Sequence, residues 1–311
     1  MDVICLGLMI YDVLVKPVTK ESLDREHNRV DFVKTSTGGD AFNVANALAR
    51  IGLKSALIGK IGDDRAGKVL LDVAAENGVD TKSVIISQKY GTATSVLLVH
   101  PDAQRSSLYY AGANDDFKEE DIDFEKIKSA KILAIGSTIV LRGLEGEGMI
   151  RLLKRTKEAN VTTVVDVKGD LNQGNMDLLK SYLPYTDIFV PNYKEASGLT
   201  GKSNPDEIAS VFMGYGVKIV VIKMGVEGCY IRTKDEELVV PAFKVEAVDT
   251  TGAGDSFVSG FITAYSNGWS MYECGRFANA VGALSVQQVG ATEGIKSLDE
   301  ILDFIKSQDK K

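Results

Sequence analysis

The stretch V-D-T-T-G-A-G-D-S-F-V-S-G-F-I-T-A-Y, Val248 to Tyr265, places two glycines and an aspartate at the start of a segment with helical spacing. Apolar side chains recur on one face of this segment, and Gly268 is placed to end it. Glycine costs about 1 kcal/mol relative to alanine inside a helix. Gly252 and Gly254 are therefore predicted to form a turn that precedes or begins the helix.

Asp255, just inside this turn, has two interpretations. The N–H groups of the turn point outward with the positive end of the helix dipole behind them, so the turn is predicted to bind an anion. The aspartate could complement the dipole, as first-turn carboxylates commonly do. It could instead act as a general base beside bound phosphate, taking a proton from an attacking hydroxyl. This stretch alone does not decide between the two.

The composition is that of an ordinary globular protein with a large core. The chain has 311 residues, of which 44% are hydrophobic and 25% charged. Its net charge of -7 provides no basic surface for nucleic acid. The apolar N-terminus lacks a basic leader and is too short to span a membrane, so no membrane segment is expected.

The cysteines and histidines exclude several kinds of site. Cys5, Cys229 and Cys274 form no C-x-x-C pair, so neither a disulfide framework nor a zinc site is predicted, and a reducing cytoplasm fits. His27 and His100 stand in no metal-ligand or triad spacing. We therefore expect a cytoplasmic protein that does not use histidine chemistry.

Short apolar runs alternate with helical patterns along the chain. The runs include V-I-C-L-G-L, K-I-L-A-I-G, V-T-T-V-V-D-V and K-I-V-V-I-K-M-G. The helical segments between them are residues 41–50, 67–77, 147–160 and 205–214. This alternation predicts an α/β fold, with a mostly parallel central sheet flanked by helices. Without a repeat or long linker, residues 1–311 are predicted to form a single domain.

Two regions, approximately residues 12–37 and 90–112, break this rhythm. The second contains T-A-T-S-V-L-L-V and R-S-S-L-Y-Y around the polar turn P-D-A-Q, which predicts a hairpin. D-F-V-K-T in the first could add a strand. Together they predict a small antiparallel β sheet that projects from the main one.

One run imitates a phosphate-binding loop. A-S-G-L-T-G-K-S, residues 196–203, nearly matches G-x-x-x-x-G-K-[ST], but Ala196 replaces the first glycine and no strand leads directly into it. We favour a short helix ended by Gly198 or Gly201. A complete G-x-G-x-x-G after an early strand is also missing, which argues against a dinucleotide-binding fold.

A second glycine turn precedes a predicted helix in T-G-G-D-A-F-N-V-A-N-A-L-A-R-I-G, residues 37–52. Gly38 and Gly39 permit close backbone approach, and Asp40 can cap the helix. Asn43 would lie in the first turn of this helix and face the same opening as the glycine turn. Two such turns, each with a carboxylate or amide attached, are more than structure alone requires.

A third polar segment, P-N-Y-K-E, follows the apolar run D-I-F-V. Asn192 and Glu195 leave the end of this strand at i, i+3 spacing and could face the same way. Because ligands of open α/β sheets bind at strand ends, these side chains are candidates for the same site.

These segments resemble the motifs of the ribokinase-like (PfkB) carbohydrate kinase family. D-T-T-G-A-G-D-S-F is similar to the family's C-terminal signature, T-G-G-D-A-F-N to its Gly-Gly motif, and P-N-Y-K-E to its N-x-x-E motif. V-I-K-M-G-V-E-G-C resembles the strand and turn that contact nucleotide. Order and spacing match from Ile4 to Lys306. The resemblance implies a ribokinase-like fold with an antiparallel lid, and ATP-dependent phosphorylation of a hydroxyl group of a small sugar or sugar derivative.

The resemblance also implies roles for single residues. In this family the aspartate that ends the late signature is the base, so Asp255 would deprotonate the acceptor hydroxyl. The backbone that would stabilise the transferring phosphoryl group belongs to Gly252, Ala253 and Gly254. The residues that would hold the sugar are Asp12, Gly38, Gly39 and Asn43.

The resemblance also implies which residues bind the cofactors. Asn192 and Glu195 would organise Mg²⁺ through its water molecules. The residues that would lie along the nucleotide are Lys223, Gly225 and Gly228, with Asn279 and Gly282 near the adenine. ATP and Mg²⁺ are thus the implied cofactors, and a monovalent cation such as K⁺ is left open. The expected partners are the small-molecule sugar, ATP and a second copy of the chain joined through the lid, with no nucleic acid or membrane.

Two departures from the family's motifs leave the sugar unidentified. Asp40 stands where ribokinases proper usually have lysine and fructokinases a small residue. D-V-K-G-D, Asp166 to Asp170, differs from the D-x-N-x-R of many keto-sugar-acid and fructose kinases. Lys168 could reach an anionic sugar or be an exposed loop charge. A nucleoside kinase of the same family and a non-catalytic sugar-binding protein on the same fold remain alternatives.

Overall fold

A computed structural model of the chain describes residues 1–102, 104–169 and 171–309. Ala103 of the predicted hairpin turn, Asp170 of D-V-K-G-D and the last two residues of the predicted domain lie outside the described residues. The strands, in chain order, are β1 Val3–Leu6, β2 Ile10–Lys16, β3 Phe32–Gly38, β4 Ser55–Ile58, β5 Lys60–Gly62, β6 Ile85–Ser87, β7 Thr94–Val99, β8 Arg105–Tyr110, β9 Ile132–Thr138, β10 Thr162–Val167, β11 Ile188–Phe189, β12 Ile219–Lys223, β13 Cys229–Arg232 and β14 Glu237–Val240.

The helices alternate with these strands. The α-helices are α1 Lys20–Leu23, α2 Asp40–Ile51, α3 Arg65–Glu76, α4 Phe124–Lys128, α5 Glu147–Glu158, α6 Gln173–Leu179, α7 Tyr193–Thr200, α8 Pro205–Gly214, α9 Ala253–Ser266, α10 Met271–Ser285 and α11 Leu298–Gln308. Short 3₁₀ segments are Gly112–Asp116, Glu119–Asp121, Leu183–Tyr185 and Gly225–Glu227.

The central sheet has the order β14-β13-β12-β11-β10-β9-β1-β4 within the described residues. Neighbouring strands among β12, β11, β10, β9, β1 and β4 pair in parallel. Strands β13 and β14 add an antiparallel edge. Strands β1 and β9 are buried along their whole length, as expected for a parallel sheet with helices on both faces. The predicted α/β fold with a mostly parallel sheet is confirmed.

Two apolar cores cover the faces of this sheet. One is packed by α2, α9 and α10, through side chains such as Phe42, Phe261 and Phe277. The other is packed by α5, α7 and α8, through side chains such as Leu153 and Phe212. Because α2 and α9 pack on the same face, their first turns lie close together at one edge of the sheet.

A second sheet, with the order β3-β2-β7-β8, is built from the two regions that break the α/β rhythm. The predicted hairpin is the antiparallel pair β7–β8, and D-F-V-K-T forms part of β3. The middle pair, however, is parallel, with Tyr11 of β2 opposite Thr94 of β7. The sheet is therefore mixed and not wholly antiparallel, and we call it the lid sheet.

Local predictions of the helices are largely confirmed. The four predicted helical segments are α2, α3, α5 and α8. The run that imitates a phosphate loop belongs to α7, which ends at Gly201 in the left-handed conformation. The structure also shows Ser297 and Glu300 in a capping box at the start of α11. The prediction that Asp40 caps α2 is wrong, because Gly39, with a φ of 95°, is the N-cap and Asp40 is the first helical residue.

The three cysteines lie in the interior of the protein. Cys5, Cys229 and Cys274 are buried free thiols, and burial raises the pKa of each. In the part of the chain that the structure describes, no helix has the length and apolar character needed to cross a membrane.

Candidate active site

The turn before α9 has the close backbone packing that its glycines predict. Gly252 is the N-cap, with a φ of 72° in the left-handed region that favours glycine. A Cβ at this position would lie 2.6 Å from the carbonyl oxygen of Ala291. Gly254 lies inside the first helical turn, since α9 begins at Ala253. The first-turn N–H groups of a helix have no intrahelical acceptor and can bind an anion, although the N–H of Ala253 already donates to the carbonyl oxygen of Thr250 at 3.2 Å. We call residues 252–254 the anion turn.

Asp255 follows the anion turn and is partly buried. Nδ2 of Asn43 donates a hydrogen bond of 2.7 Å to Oδ2 of Asp255, which joins the starts of α2 and α9. Burial and the negative charge of Asp40 raise the pKa of Asp255 to about 7. A carboxyl group with this pKa matches the operating pH of a general base.

A cavity of about 480 Å³ lies between the lid sheet and the starts of α2 and α9. All four residues predicted to hold the sugar line this cavity, together with Gly252 and Asp255 of the predicted catalytic residues, whereas Ala253 and Gly254 do not; the four are Asp12, Gly38, Gly39 and Asn43. Oδ1 of Asn43 is buried without a hydrogen-bond partner among the described residues, so it is available to a ligand hydroxyl. Apolar side chains of the lid sheet, Leu14 and Leu97, face the polar floor.

Asp12 projects from β2 of the lid sheet toward the Gly38-Gly39 turn. A Cβ at Gly38 would collide with Oδ2 of Asp12, so glycine leaves room for the carboxylate in this position. Burial raises the pKa of Asp12 to about 6, and the charge of Lys168 acts in the opposite direction. A carboxylate in this place can accept hydrogen bonds from two neighbouring hydroxyls.

Two ion pairs at the site were not predicted from the sequence. Nζ of Lys168 lies 2.8 Å from Oδ1 of Asp40, and Nζ of Lys223 lies 2.5 Å from Oδ2 of Asp166. Lys168 is therefore not a free loop charge, although about half of its side chain is exposed. Burial opposes the charge of each lysine, but the carboxylates outweigh it and the pKa of both is raised.

Asn192 and Glu195 form a capping box at the start of α7. Oδ1 of Asn192 accepts from the Glu195 N–H at 2.9 Å, and Oε2 of Glu195 accepts from the Asn192 N–H at 3.0 Å. Glu195 is buried, and its pKa is raised to about 7 by burial and by Asp166. No group of three or more His, Cys, Asp and Glu side chains in the described ranges is placed to hold a metal directly.

The residues predicted for the nucleotide lie outside the cavity, on the strand and helices beside the anion turn. A Cβ at Gly254 would lie 3.6 Å from Nζ of Lys223, so this ammonium group lies next to the anion turn. Gly225 and Gly228 bound the turn after β12, with φ values of 60° and 99°. Contact of any of these with nucleotide stays a prediction.

The helix α10 supplies the last two predicted nucleotide residues. A Cβ at Gly282 would lie 3.8 Å from the carbonyl oxygen of Ala253, so α10 passes close behind the anion turn. Nδ2 of Asn279 donates to the carbonyl oxygens of Val240 and Pro241 at 3.0 and 3.1 Å. This side chain therefore ties α10 to the end of β14, and its place near the adenine stays a prediction.

The chain is similar to a known protein family over nearly its whole length. Residues 1–298 match the family model described as pfkB family carbohydrate kinase. The chain belongs to the PfkB family of carbohydrate kinases. This match confirms the family inferred from the glycine motifs, and with it the prediction of an ATP-dependent carbohydrate kinase.

Relatives within the PfkB family include kinases of two sugars. A ribokinase from Haemophilus influenzae is 32% identical over 276 residues, which cover 86% of this chain and 87% of that protein. Fructokinase-1 from Zea mays is 28% identical over 291 residues, covering 88% and 90%. Since the matched spans cover most of both chains, the similarity extends to the whole fold.

Solved PfkB structures confirm the ribokinase-like fold. The structure of Arabidopsis thaliana ribokinase complexed with ribose and ATP superposes with a TM-score of 0.85. It is 26% identical in sequence and covers 98% of both chains. The sheet, the helices and the lid sheet of the present chain therefore follow a PfkB architecture throughout.

One contact links the lid sheet to the signature turn of this PfkB chain. Nη1 of Arg105, at the start of β8, donates to Oγ1 of Thr251 at 3.0 Å, and its Nη2 lies 3.5 Å from Oδ1 of Asp249. Sequence reasoning missed this contact because nothing in the spacing of the three residues indicates it. The cavity is thus bridged at its mouth by an arginine from the lid sheet.

Proposed function

We propose that this chain transfers the γ-phosphoryl group of ATP to a hydroxyl group of a small sugar or sugar derivative, with Asp255 as the general base. The observation that carries the proposal is the position of Asp255, whose carboxyl group borders the cavity and directly follows the anion turn. A hydroxyl held in the cavity is thereby close to both a proton acceptor and an anion site.

The surrounding residues support an in-line transfer that depends on positioning and electrostatics. Asp12 and Asn43 bind and orient the acceptor by hydrogen bonds to its hydroxyl groups. Asp255 takes the proton of the attacking hydroxyl, and the N–H groups of the anion turn stabilise charge on the transferred group. The lid sheet excludes water, which otherwise competes as the acceptor.

We assign Asn192 and Glu195 to the water molecules of a hydrated Mg²⁺. The cation neutralises phosphate charge when it is bound. The chemistry of this corner fits such a cation, because burial and the negative charge of Asp166 raise the pKa of Glu195, and a divalent cation would relieve that repulsion. A need for K⁺ or another monovalent cation stays a prediction.

A substrate panel tests the proposed function. ADP release is measured with D-ribose, D-fructose, a sugar acid and a purine nucleoside as acceptors, in potassium and in sodium buffer. Turnover of a sugar supports the proposal, and preference for the nucleoside would move the chain to the nucleoside kinases of the family. Absence of turnover with every acceptor would favour a sugar-binding protein without activity.

Glu195→Gln is expected to raise the Mg²⁺ concentration for half-maximal rate by about tenfold and to lower activity. Glutamine keeps the size and the capping hydrogen bond but removes the charge that would orient metal-bound water. Rates are measured across a Mg²⁺ titration at saturating ATP. Glu300→Gln, in the equivalent capping box of α11, is the matched control. An unchanged Mg²⁺ dependence would leave Glu195 as a helix cap only.

We expect a homodimer joined through the lid sheets. The outer face of this sheet exposes Val33, Leu108 and Tyr110, and its edge strands present unpaired backbone groups. Light scattering should give the mass of two chains at micromolar concentration. Leu108→Glu should shift the protein to monomer, whereas Val226→Glu, at an exposed position outside the lid, should not. A monomer mass for the unaltered chain contradicts the dimer.

A further inference from the structure

The carboxylates at the site are not equally paired. Asp40, Asp166 and Asp255 border one small buried pocket between α2, α9 and the ends of β9 and β10. Asp40 has the ammonium group of Lys168 at 2.8 Å, and Asp166 has that of Lys223 at 2.5 Å. Asp255 instead accepts a hydrogen bond from the neutral side-chain amide of Asn43. Each lysine is thus held by a carboxylate other than the proposed base.

This pairing matters because an ammonium group bound to Asp255 would stabilise its charged form and weaken it as a base. The charged groups that face Asp255 are Asp40 on α2, Lys168 after β10 and Lys223 at the end of β12. The charge of Asp40 raises the pKa of Asp255, and those of the lysines lower it. The charges of Asp40 and Asp255 both raise the pKa of Lys168, so this lysine interacts with both carboxylates.

Asp40 is the fixed member of its ion pair, and Lys168 is the movable one. Asp40 is only 8% exposed, and its Cβ lies 2.8 Å from where a Cβ on Gly136 would be. The side chain of Lys168 is 55% exposed and projects from a loop. If the carboxylate of Asp40 were lost, Lys168 would be free to turn toward Asp255, whose charge already raises the pKa of Lys168.

We propose that Asp40 is a positioning residue that holds the ammonium group of Lys168 away from Asp255 and so preserves Asp255 as a base. This inference rests on the proposed role of Asp255 in phosphoryl transfer. Asp40 is one of the two departures from the family's motifs and Lys168 belongs to the other, and the two side chains contact each other.

Single and double variants test the proposal by steady-state kinetics with D-ribose and D-fructose. In Asp40→Asn the freed ammonium group engages Asp255, so kcat should fall by about tenfold or more while KM changes less. In Asp40→Asn/Lys168→Met that group is gone, so kcat should recover most of the loss. A double variant no more active than Asp40→Asn overturns the proposal, as does a loss confined to KM.

The pH dependence gives a readout that a structural role of the pair would not move. Asp255 must be deprotonated to act, so kcat falls as pH drops below its pKa. Asp40→Asn lowers this pKa and should move the acid limb to lower pH, whereas Lys168→Met removes the attractive charge and should move it to higher pH. The proposal is overturned if the acid limb of the pH dependence of kcat stays in place, or if it moves in the same direction in both variants.

A measurement without substrate separates this inference from the proposed function. In protein labelled with [4-¹³C]aspartate, the resonance lost in Asp255→Asn identifies Asp255. Its titration midpoint should fall by about one unit in Asp40→Asn and return in the double variant. The control is Asp187→Asn, which breaks the ion pair of 2.7 Å between Asp187 and Lys218 outside the site. It should leave the titration midpoint of Asp255 unchanged. If Asp255→Asn stays active, the base assignment fails; if only these shifts are missing, the inference about Asp40 fails.

Discussion

Asp255→Asn is expected to lower the turnover number by about 10² to 10⁴. Asparagine keeps the size of the side chain, its place in the first turn of α9 and a contact with Asn43, but it cannot accept the proton of the attacking hydroxyl. The anion turn is untouched, so ATP should still bind. The measurement is kcat with the best acceptor from the substrate panel.

Asp12→Ala is the comparison that separates the base from a binding carboxylate. Asp12 lines the same cavity but lies on the lid sheet, away from the anion turn. Its loss should chiefly raise KM, by the equivalent of about 1 to 3 kcal/mol for the abandoned hydrogen bonds. Circular dichroism and ATP binding show whether each variant is folded. Near-normal turnover of Asp255→Asn would end the base assignment and leave a carboxylate that complements the helix dipole.

Gly252→Ala is expected to reduce turnover by about 10²-fold, comparable to the loss of one oxyanion donor in other enzymes. Alanine is strained at a φ of 72°, and its Cβ would press against the backbone of Ala291. The anion turn must then shift, which displaces the N–H groups that stabilise the transferred phosphoryl group. The measurement is kcat, with thermal unfolding of the same sample.

Gly268→Ala is the matched control at the other end of α9. Gly268 also has a φ of 72°, but a Cβ there would meet no atom within 4 Å. Both variants therefore carry a similar backbone strain, and only Gly252→Ala adds a collision at the anion turn. A similar loss of turnover in the two would show that strain in α9, and not the position of the anion turn, limits the rate.

The elements of the fold could be predicted from the sequence because their signals are local. Apolar runs and helical spacing gave the strands and α2, α3, α5 and α8, and the glycines at residues 252 and 254 marked the start of α9. The cap of α2 could not be assigned in this way. Both Gly39 and Asp40 are good residues for a helix start, and the close approach of Gly39 to the carbonyl oxygen of Leu8 makes glycine the cap.

The pairing of charges at the site could not be predicted because it joins distant parts of the chain. Lys168 and Asp40 are 128 positions apart, and Lys223 and Asp166 are 57 apart. A single sequence shows each of these residues at a strand or helix end but not which neighbour it meets. The parallel middle pair of the lid sheet was missed for the same reason, whereas its hairpin was found.

The parallel pair in the lid sheet has a consequence for folding. The segment between Tyr11 and Thr94 includes β3, α2, β4, α3 and β6, so this pair joins strands that are distant in the chain. Closing so long a loop costs chain entropy before any contact between β2 and β7 is gained. The lid sheet is also less buried than the central sheet, since β8 is exposed along its whole length whereas β1 and β9 are buried. We therefore expect the lid sheet to open before the rest of the molecule unfolds, so its amide hydrogens should exchange with solvent faster than those of β1 and β9.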